Sequence, residues 1–307
     1  RLDAINFCFH DAELRSNPGA GMPDGSNPTV AASNPYAWQH HVYDRSRPDA
    51  LGFLERLRAL TDQYPDTMMV GEIGDESGMA MVAQYSSPSA EGAERLHMGY
   101  CFDLLADRHD APYLHGVIAK FERVAAEAGG GWACWALSNH DCKRLATRWG
   151  GDHPDPALLR LAPALQLSLR GAVCLYQGEE LGLPEADIAF EDLQDPYGIT
   201  MWPEYKGRDG CRTPMAWEAA APDLGFGAAG STVKPWLPVS ESHRALAADQ
   251  QAGDPASLLS HYRQLLAWRR GVPALIHGDM TLLPVHPQVL AFVREHEGQR
   301  MLCAFNL

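Results

Sequence analysis

Short apolar segments alternate along the chain with longer segments in which leucine and alanine recur at helical spacing. The apolar segments have the length of strands, and the longer ones have the period of amphipathic helices. Strands are predicted at 1–9, 67–73, 96–102, 132–137 and 172–176, and helices from Pro48 onward and over 113–128, 157–169 and 255–270. This alternation predicts repeated βα units and a parallel sheet.

Two long irregular segments interrupt the alternation, at residues 10–47 and 182–253. The first is rich in Asn-Pro, Gly and Ser and has no helical period. Connections of this length inside a compact domain are usually functional loops or lids. We therefore expect residues 10–47 to fold over the mouth of a ligand site and to make it a pocket. From residue 278 onward the pattern changes to short strands.

Polar side chains cluster at the C-terminal ends of the predicted strands. Asp3, Glu72, Asp141 and Glu179 each end or follow a different apolar segment. In a (β/α)8 barrel the active site is built on that face from several strand ends. No G-x-G-x-x-G sequence follows any of these strands, which argues against a nucleotide-binding sheet. We predict the α/β class and a (β/α)8 TIM barrel with strands 4 to 8 present. Because the chain opens directly on a strand, three further strands are expected upstream of Arg1.

The composition restricts the partners. A formal charge of −14 argues against nucleic acid, since binding to a phosphate backbone depends on clustered Lys and Arg. A neutral or cationic small ligand is favoured. No run of eighteen apolar residues is present, so we predict no membrane span. The cysteines are widely spaced without a C-x-x-C pair, which favours reduced thiols in a cytoplasmic protein. The sequence does not indicate the oligomeric state.

Three of the strand-end carboxylates, Asp3, Glu72 and Asp141, would converge at the mouth of such a barrel. Cleavage of an acetal needs one carboxylate at the anomeric carbon and a second, protonated one beside the leaving oxygen. Arg1 shares a strand face with Asp3 and would stabilise its ionised form. His140 is placed beside Asp141 to bind a sugar hydroxyl. Each carboxylate taken alone is equally well explained by a helix cap or a salt bridge. A metal site is another alternative, although the histidines lack the paired spacing of a helical metal site.

Four motifs contain these residues. They are Arg1-Leu-Asp3-Ala-Ile-Asn, Val70-Gly-Glu72, Ser138-Asn-His-Asp141 and Arg208-Asp-Gly-Cys-Arg-Thr-Pro-Met-Ala-Trp217. The sequence thereby resembles the α-amylase superfamily, glycoside hydrolase family 13, and within it the bacterial α-glucosidases and oligo-1,6-glucosidases. The resemblance implies that Asp3 is the nucleophile, Glu72 the general acid/base and Asp141 the residue that stabilises the transition state.

The pocket expected from the loop at residues 10–47 would accept chain ends and small saccharides. The predicted substrate-binding residues are Arg1, Ala4, Phe7, His140, Glu185 and Arg208. Ala4 stands where related enzymes select the linkage, and a small residue there goes with α-1,4 or broad specificity. A surface role is the alternative for Glu185. Two departures from the family pattern are the absence of its first signature, D-x-x-x-N-H, and Ala216 in place of the usual Gln.

We therefore predict a retaining, exo-acting α-glucosidase that removes terminal α-linked glucose from small saccharides or α-glucosides through a covalent glucosyl-Asp3 intermediate. The alternatives are an α-glucosyltransferase with the same intermediate, a non-catalytic family member and an unrelated metal-dependent barrel hydrolase. The predicted partner is a small-molecule saccharide, with no nucleic acid and no membrane. No cofactor and no metal ligand are predicted, and a structural Ca²⁺ or Mg²⁺ site is expected, if anywhere, upstream of Arg1. The predicted domains are the catalytic barrel at 1–277 and the start of a C-terminal antiparallel β-domain at 278–307.

Overall fold

The computed structural model describes residues 1–21, 32, 34–100, 102–228, 230 and 233–307. The chain forms two compact units. Unit 1 comprises Arg1–Trp135, Arg170–Cys174 and Asp279–Leu307, and unit 2 comprises Ala136–Leu169 and Leu175–Gly278. The α-helices are α1 (Asp49–Thr61), α2 (Met79–Ser86), α3 (Ala111–Glu127), α4 (Leu145–Gly150), α5 (Pro156–Ser168), α6 (Pro196–Thr200), α7 (Ala248–Ala252), α8 (Leu258–Arg270) and α9 (Pro273–Ile276). The strands are β1 (Val70–Glu72), β2 (Met98–Tyr100), β3 (Cys134–Ala136), β4 (Ala172–Cys174), β5 (Asp279–Leu282), β6 (Val289–His296) and β7 (Gln299–Asn306).

Short parallel strands form the first part of unit 1. β1 pairs with β2 in parallel. Leu2 forms a parallel bridge to Gly71 of β1, and Gly99 of β2 forms another to Ala133, just before β3. β4 is the neighbour of β3. The segments predicted as strands from residue 67 onward thus lie side by side in chain order.

The strand predicted over residues 1–9 is wrong. Leu2 makes a single bridge, and Ile5–Phe7 forms a 3-10 helix instead of continuing it. Ala4 precedes this helix with φ of 43°, in the left-handed region, and this turns the backbone out of the extended conformation. Ile5 is buried within the 3-10 helix. The apolar pattern here therefore reflects burial of a turn and not of a strand.

The predicted helices are present as α1, α3, α5 and α8, with ends that differ by a few residues. α3 and α5 each follow an aspartate, Asp110 and Asp155, whose side chain accepts a backbone N–H at the start of the helix, and each has a proline in its first turn. α2 is missing from the predicted elements because its apolar sequence has no polar face to reveal a helical period. It packs against α3 and β2.

An antiparallel sheet ends the chain, with β6 between β5 and β7. β6 and β7 are joined by Glu297 and Gly298, which both have positive φ, as a tight hairpin turn requires. Alternate side chains of β6 are buried, at Leu290, Phe292 and Arg294. These three side chains lie on one face of β6, as expected for a strand with one buried and one exposed face. α3 packs against β6. The antiparallel strands expected from residue 278 are present, within unit 1.

Unit 2 is built mainly from helices, with α8 packed against both α5 and α7. The segment 182–253, predicted as irregular, contains α6, α7 and 3-10 helices such as Asp209–Cys211 and Glu241–Leu246. That prediction is corrected, because elements of one or two turns are too short to show a period in the sequence.

The other predicted loop, 10–47, includes a 3-10 helix at Pro35–Trp38, and its residues 22–31 and 33 lie outside the described residues. None of the described cysteines forms a disulfide. Within the described ranges, the helices are too short or too polar to cross a membrane.

Candidate active site

The Arg1 group, defined as Arg1, Asp3, Glu72 and Tyr100, brings two predicted catalytic carboxylates onto one guanidinium in unit 1. Nη1 of Arg1 lies 2.7 Å from Oδ1 of Asp3, and Nη2 donates to Oε2 of Glu72 at 2.6 Å. Nε and Nη2 of Arg1 also donate to the hydroxyl oxygen of Tyr100, at 3.2 and 3.0 Å. The two carboxylates differ in environment, since the side chain of Asp3 is 73% exposed and that of Glu72 only 7%.

Backbone pairing positions the members of this group. The N–H of Leu2 donates to the carbonyl of Val70, and the N–H of Glu72 donates to the carbonyl of Leu2, at 2.9 and 3.0 Å. Asp3 therefore follows a residue that is fixed against β1. Glu72 stands opposite Tyr100 in the parallel register of β1 and β2. Side chains at paired positions of a parallel ladder share a face of the sheet, so these two are directed to the same side.

The buried carboxyl of Glu72 has an altered proton affinity. Burial raises the pKa of Glu72 to about 7, and the adjacent Asp3 acts in the same direction. Arg1 and the N–H of Ala4, 3.4 Å from Oε2, oppose the rise. Desolvation therefore outweighs the attraction of the guanidinium. A large fraction of Glu72 carries its proton near neutral pH, and this is the state that a general acid needs.

The Asp141 group, defined as His140, Asp141, Asp195, Arg208 and Arg212, lies in unit 2. Oδ1 of Asp141 accepts from Nη1 of Arg208 at 2.9 Å and from Nη2 of Arg212 at 2.6 Å. Nε2 of His140 lies 3.4 Å from Oδ2 of the same carboxylate. Two guanidinium groups thus converge on one oxygen of Asp141, and an imidazole faces the other.

Asp195, immediately before α6, fixes the orientation of Arg208. Nε and Nη2 of Arg208 each donate to Asp195 at 2.9 Å, and the backbone N–H of Arg208 donates to it at 2.8 Å. The side chain of Asp195 is fully buried. Burial favours a raised pKa for Asp195, but the hydrogen bonds from Arg208 outweigh it and lower the pKa. Because two parallel charge-assisted bonds hold the guanidinium, its remaining Nη1 stays directed at Asp141.

The other predicted substrate-binding residues have different surroundings. Ala4 has the left-handed backbone that leads into the 3-10 helix, and Phe7 ends that helix with a partly exposed ring. Glu185 accepts the backbone N–H of Arg144 at 2.8 Å, and burial raises the pKa of its carboxyl to about 6. Substrate binding by Ala4, Phe7 and Glu185 stays a prediction, as do the catalytic roles of the three carboxylates.

Tyr100, Asp195 and Arg212 are absent from the residues predicted from the sequence. Arg212 carries a signal, since it lies in the same motif as Arg208, four residues later. Asp195 precedes a proline, an arrangement typical of a helix start. Tyr100 ends β2, where the polar residues of a barrel site are expected.

The carboxylates of both groups are paired with arginines. Among the residues that the structure describes, no group of three His, Cys, Asp or Glu side chains is arranged to hold a metal ion.

Comparison with known families agrees with the motifs. The family model of the α-amylase catalytic domain matches residues 1–278. The chain belongs to the α-amylase family. The family predicted from the sequence is thus confirmed.

Several known proteins are similar to this chain over 97% to 100% of its length. A probable α-glucosidase of Rhizobium meliloti (strain 1021) is 48% identical in an alignment of 311 positions that covers 100% of this chain and 54% of the relative. Probable oligo-1,6-glucosidase 3 of Bacillus subtilis (strain 168) is 31% identical, and the matched region covers 97% of this chain and 56% of that relative. A solved structure of an α-glucosyl transfer enzyme is 51% identical with a TM-score of 0.90, covering 100% of this chain and 55% of that one. The chain therefore spans about half the length of these relatives.

Membership of the α-amylase family settles the class of fold. The chain has the TIM-barrel fold of the family, followed by an antiparallel sheet, as predicted. The number of barrel strands that it contributes stays a prediction.

Proposed function

We propose that the protein is a retaining, exo-acting α-glucosidase that removes terminal α-linked glucose from small saccharides or α-glucosides. The Arg1 group carries this proposal. It holds an exposed carboxylate, Asp3, and a buried carboxyl, Glu72, on one guanidinium, and burial raises the pKa of Glu72 to about 7. A pair of carboxyl groups with opposite environments is what retaining glycoside cleavage requires. The names of the α-glucosidase and oligo-1,6-glucosidase relatives agree with it.

In the first step, an oxygen of Asp3 attacks the anomeric carbon while the proton of Glu72 passes to the glycosidic oxygen. The bond to the leaving alcohol breaks, and glucose remains bound to Asp3 as an ester. In the second step, ionised Glu72 takes a proton from water, whose oxygen displaces Asp3 from the anomeric carbon. The cycle uses side chains and water, and the proposal includes no cofactor.

Arg1 supports both steps through charge. Its guanidinium contacts Asp3 and Glu72, so it stabilises each carboxylate when that carboxylate is ionised. The role proposed for Asp141, stabilisation of the positive charge that develops on the sugar, rests on the family motif. His140 and Arg208 are proposed to bind hydroxyls of the terminal glucose, because they present donors beside that carboxylate.

The test is the substitution Asp3→Asn. It is made in the full protein, with any sequence that flanks residues 1–307 included. It removes the nucleophile and keeps the size of the side chain. We expect turnover of an aryl α-glucoside to fall by at least about a thousandfold, because the covalent route is lost, while substrate still binds. Asp107→Asn, which changes an exposed carboxylate of unit 1, is the matched control and should keep wild-type turnover.

Trapping the intermediate completes this test. A slow α-glucosyl substrate should leave a glucosyl group on the peptide that contains Asp3, detected by mass spectrometry, in the wild type and in Asp107→Asn. Full turnover by Asp3→Asn, or a label on another residue, would contradict the assignment of the nucleophile.

A second candidate is an α-glucosyltransferase, favoured by the solved structure of an α-glucosyl transfer enzyme at 51% identity. The same ester on Asp3 would then pass glucose to an alcohol or a sugar in place of water. The ratio of glucoside to glucose formed with excess acceptor separates the two functions, and a transferase should give mainly glucoside at acceptor concentrations far below that of water. A non-catalytic member is disfavoured because Asp3, Glu72 and Asp141 are all present.

A further inference from the structure

Tyr100 contacts the guanidinium that joins the two proposed catalytic carboxylates. Its hydroxyl oxygen accepts from Nε and Nη2 of Arg1, at 3.2 and 3.0 Å. Nη1 of the same guanidinium is left for Asp3, and Nη2 also reaches Glu72. Tyr100 therefore occupies the edge of the planar group formed by Nε and Nη2, while the two carboxylates contact Nη1 and Nη2. A planar group that is held at two edges cannot rotate without breaking a bond at one of them.

The side chain of Tyr100 is more firmly fixed than the side chain of Arg1, which it contacts. Tyr100 is 5% exposed and lies in β2, paired with Glu72 of β1. The side chain of Arg1 is 39% exposed and has several rotatable bonds, so its position depends on its partners. Asp3 cannot supply that anchor, because its own side chain is 73% exposed. Of the three contacts, Tyr100 and Glu72 are thus the ones fixed by the sheet.

We propose that Tyr100 is a positioning residue that orients Arg1 and thereby sets the relative placement of Asp3 and Glu72 for α-glucoside cleavage. This inference rests on the proposed function. Tyr100 acts through Arg1 and is not assigned any contact with substrate. Misplacement of reacting groups by about 1 Å can cost about a hundredfold in rate, so loss of one anchor is expected to lower the rate of the chemical step.

The first variant is Tyr100→Phe, which removes the hydroxyl and keeps the buried ring. We expect kcat to fall about 10- to 100-fold with KM changed less than about threefold, since the residue orients the catalytic groups and does not bind the sugar. The matched control is Tyr85→Phe, which removes the hydroxyl of another buried tyrosine of unit 1, in α2, and should keep wild-type kcat.

The pH profile provides a readout that a purely structural role would not move. Arg1 opposes the upward shift of the pKa of Glu72. If Tyr100→Phe lets Arg1 move away from Glu72, that opposition weakens, and the basic limb of the rate profile moves to higher pH. Tyr85→Phe should leave the limb where it is in the wild type.

Coupling to Arg1 gives the decisive comparison. In an Arg1→Lys background the fork that binds Tyr100 is gone, so Tyr100→Phe should have less than about a twofold further effect. Equal effects in the two backgrounds would overturn the proposal, as would a kcat for Tyr100→Phe within twofold of wild type with an unmoved basic limb.

A measurement without turnover separates this inference from the proposed function. The titration of Glu72 can be followed by NMR in selectively labelled wild type and Tyr100→Phe. If wild type fails to cleave any α-glucoside, the proposed function fails. The positioning inference then still stands if the Glu72 titration moves upward in Tyr100→Phe and not in Tyr85→Phe, and it falls if both titrations match the wild type.

Discussion

Two opposing influences meet on the carboxyl of Glu72. Its side chain is 7% exposed and lies beside Asp3, and both facts favour the protonated form. Arg1, at 2.6 Å, favours the ionised form. The pKa is raised to about 7, so burial dominates, and the guanidinium keeps the group able to titrate near neutrality. A residue that must give a proton in one step and take it back in the next needs such a balance.

The pH dependence of the rate follows from this balance. Since Glu72 is needed in its protonated form for the first step, kcat/KM should fall as pH rises above about 7. Glu72→Gln should abolish this basic limb and cost most with poor leaving groups, which depend most on the proton. Rate profiles for an alkyl and an activated aryl α-glucoside provide the check. A basic limb that persists in Glu72→Gln would contradict the assignment of Glu72 as the acid.

Glu72 also links pH to stability, with a defined sign. The pKa is higher in the folded chain than its ordinary value of 4.5, so the folded state binds the proton more tightly than the unfolded state. The stabilisation is complete below pH 4.5 and is lost as pH rises to about 7. The free energy of unfolding of Glu72→Gln should therefore fall less than that of the wild type between pH 5 and pH 8, as measured by urea denaturation at each pH. Parallel curves for the two proteins would contradict this sign.

Single residues differ in how far the sequence reveals them. Asp3, Glu72 and Asp141 can be proposed from the sequence because they lie in motifs whose residue order is specific, and Glu72 also ends a strand, β1. Tyr100 could not be predicted, because its contact with Arg1 depends on the register of β1 and β2 and on the direction of a long side chain. Residue type and spacing along the chain do not contain that information.

At the scale of elements, the segment of Arg208 to Arg212 depends on close packing. Gly210 lies in the 3-10 helix Asp209–Cys211, and its carbonyl accepts the N–H of Ala186 at 3.2 Å. A Cβ at position 210 would come within 2.4 Å of both the carbonyl oxygen of Ala186 and Oε1 of Glu185. The arginines at both ends of this segment reach Asp141. Packing at Gly210 therefore determines where two charges of the Asp141 group lie.

Gly210→Ala is expected to damage both stability and activity. The backbone must shift to admit the methyl group, which should cost about 1 to 3 kcal/mol of unfolding free energy and move the two arginines relative to Asp141. Gly116→Ala, in α3, is the matched control, because a Cβ there meets no atom within 4 Å. That control should stabilise by about 0.5 to 1 kcal/mol through its helix propensity. Urea denaturation and glucoside turnover test both variants, and wild-type values for Gly210→Ala would show that the segment adapts.

Helices and strands with a clear hydrophobic period in the sequence can be predicted, and elements of one or two turns cannot. β1 to β4 and the helices α1, α3, α5 and α8 follow the alternation of the sequence. The segment predicted as the first strand forms a single bridge and a 3-10 helix. The cause is the left-handed backbone of Ala4, which could not be predicted because alanine rarely adopts this conformation. α2 is not predicted because its apolar sequence shows no helical period, and the helices between residues 182 and 253 are not predicted because they are too short to show one.

At the scale of the whole molecule, the relatives that identify the family are longer than this chain. The chain spans about half the length of its relatives, with 54% of the Rhizobium meliloti protein and 55% of the solved transfer enzyme covered. The class of fold could be predicted because βα alternation and strand-end carboxylates recur along the sequence. The choice between water and another acceptor could not, since both use the same intermediate and differ only in what approaches it.

Removal of divalent metal ions should leave the activity intact. Asp3 and Glu72 are paired with Arg1, and Asp141 with Arg208 and Arg212, so a cation at these carboxylates would have to displace guanidinium groups and meet their positive charge. We expect wild-type kcat after dialysis against EDTA, with no gain on adding Ca²⁺ or Mg²⁺.

The unfolding temperature should be recorded on the same samples. Loss of kcat at an unchanged unfolding temperature, reversed by one metal, would indicate a catalytic ion and contradict the prediction. A lowered unfolding temperature with a matching loss of rate would indicate a structural ion and leave the roles of the arginine-paired carboxylates as proposed.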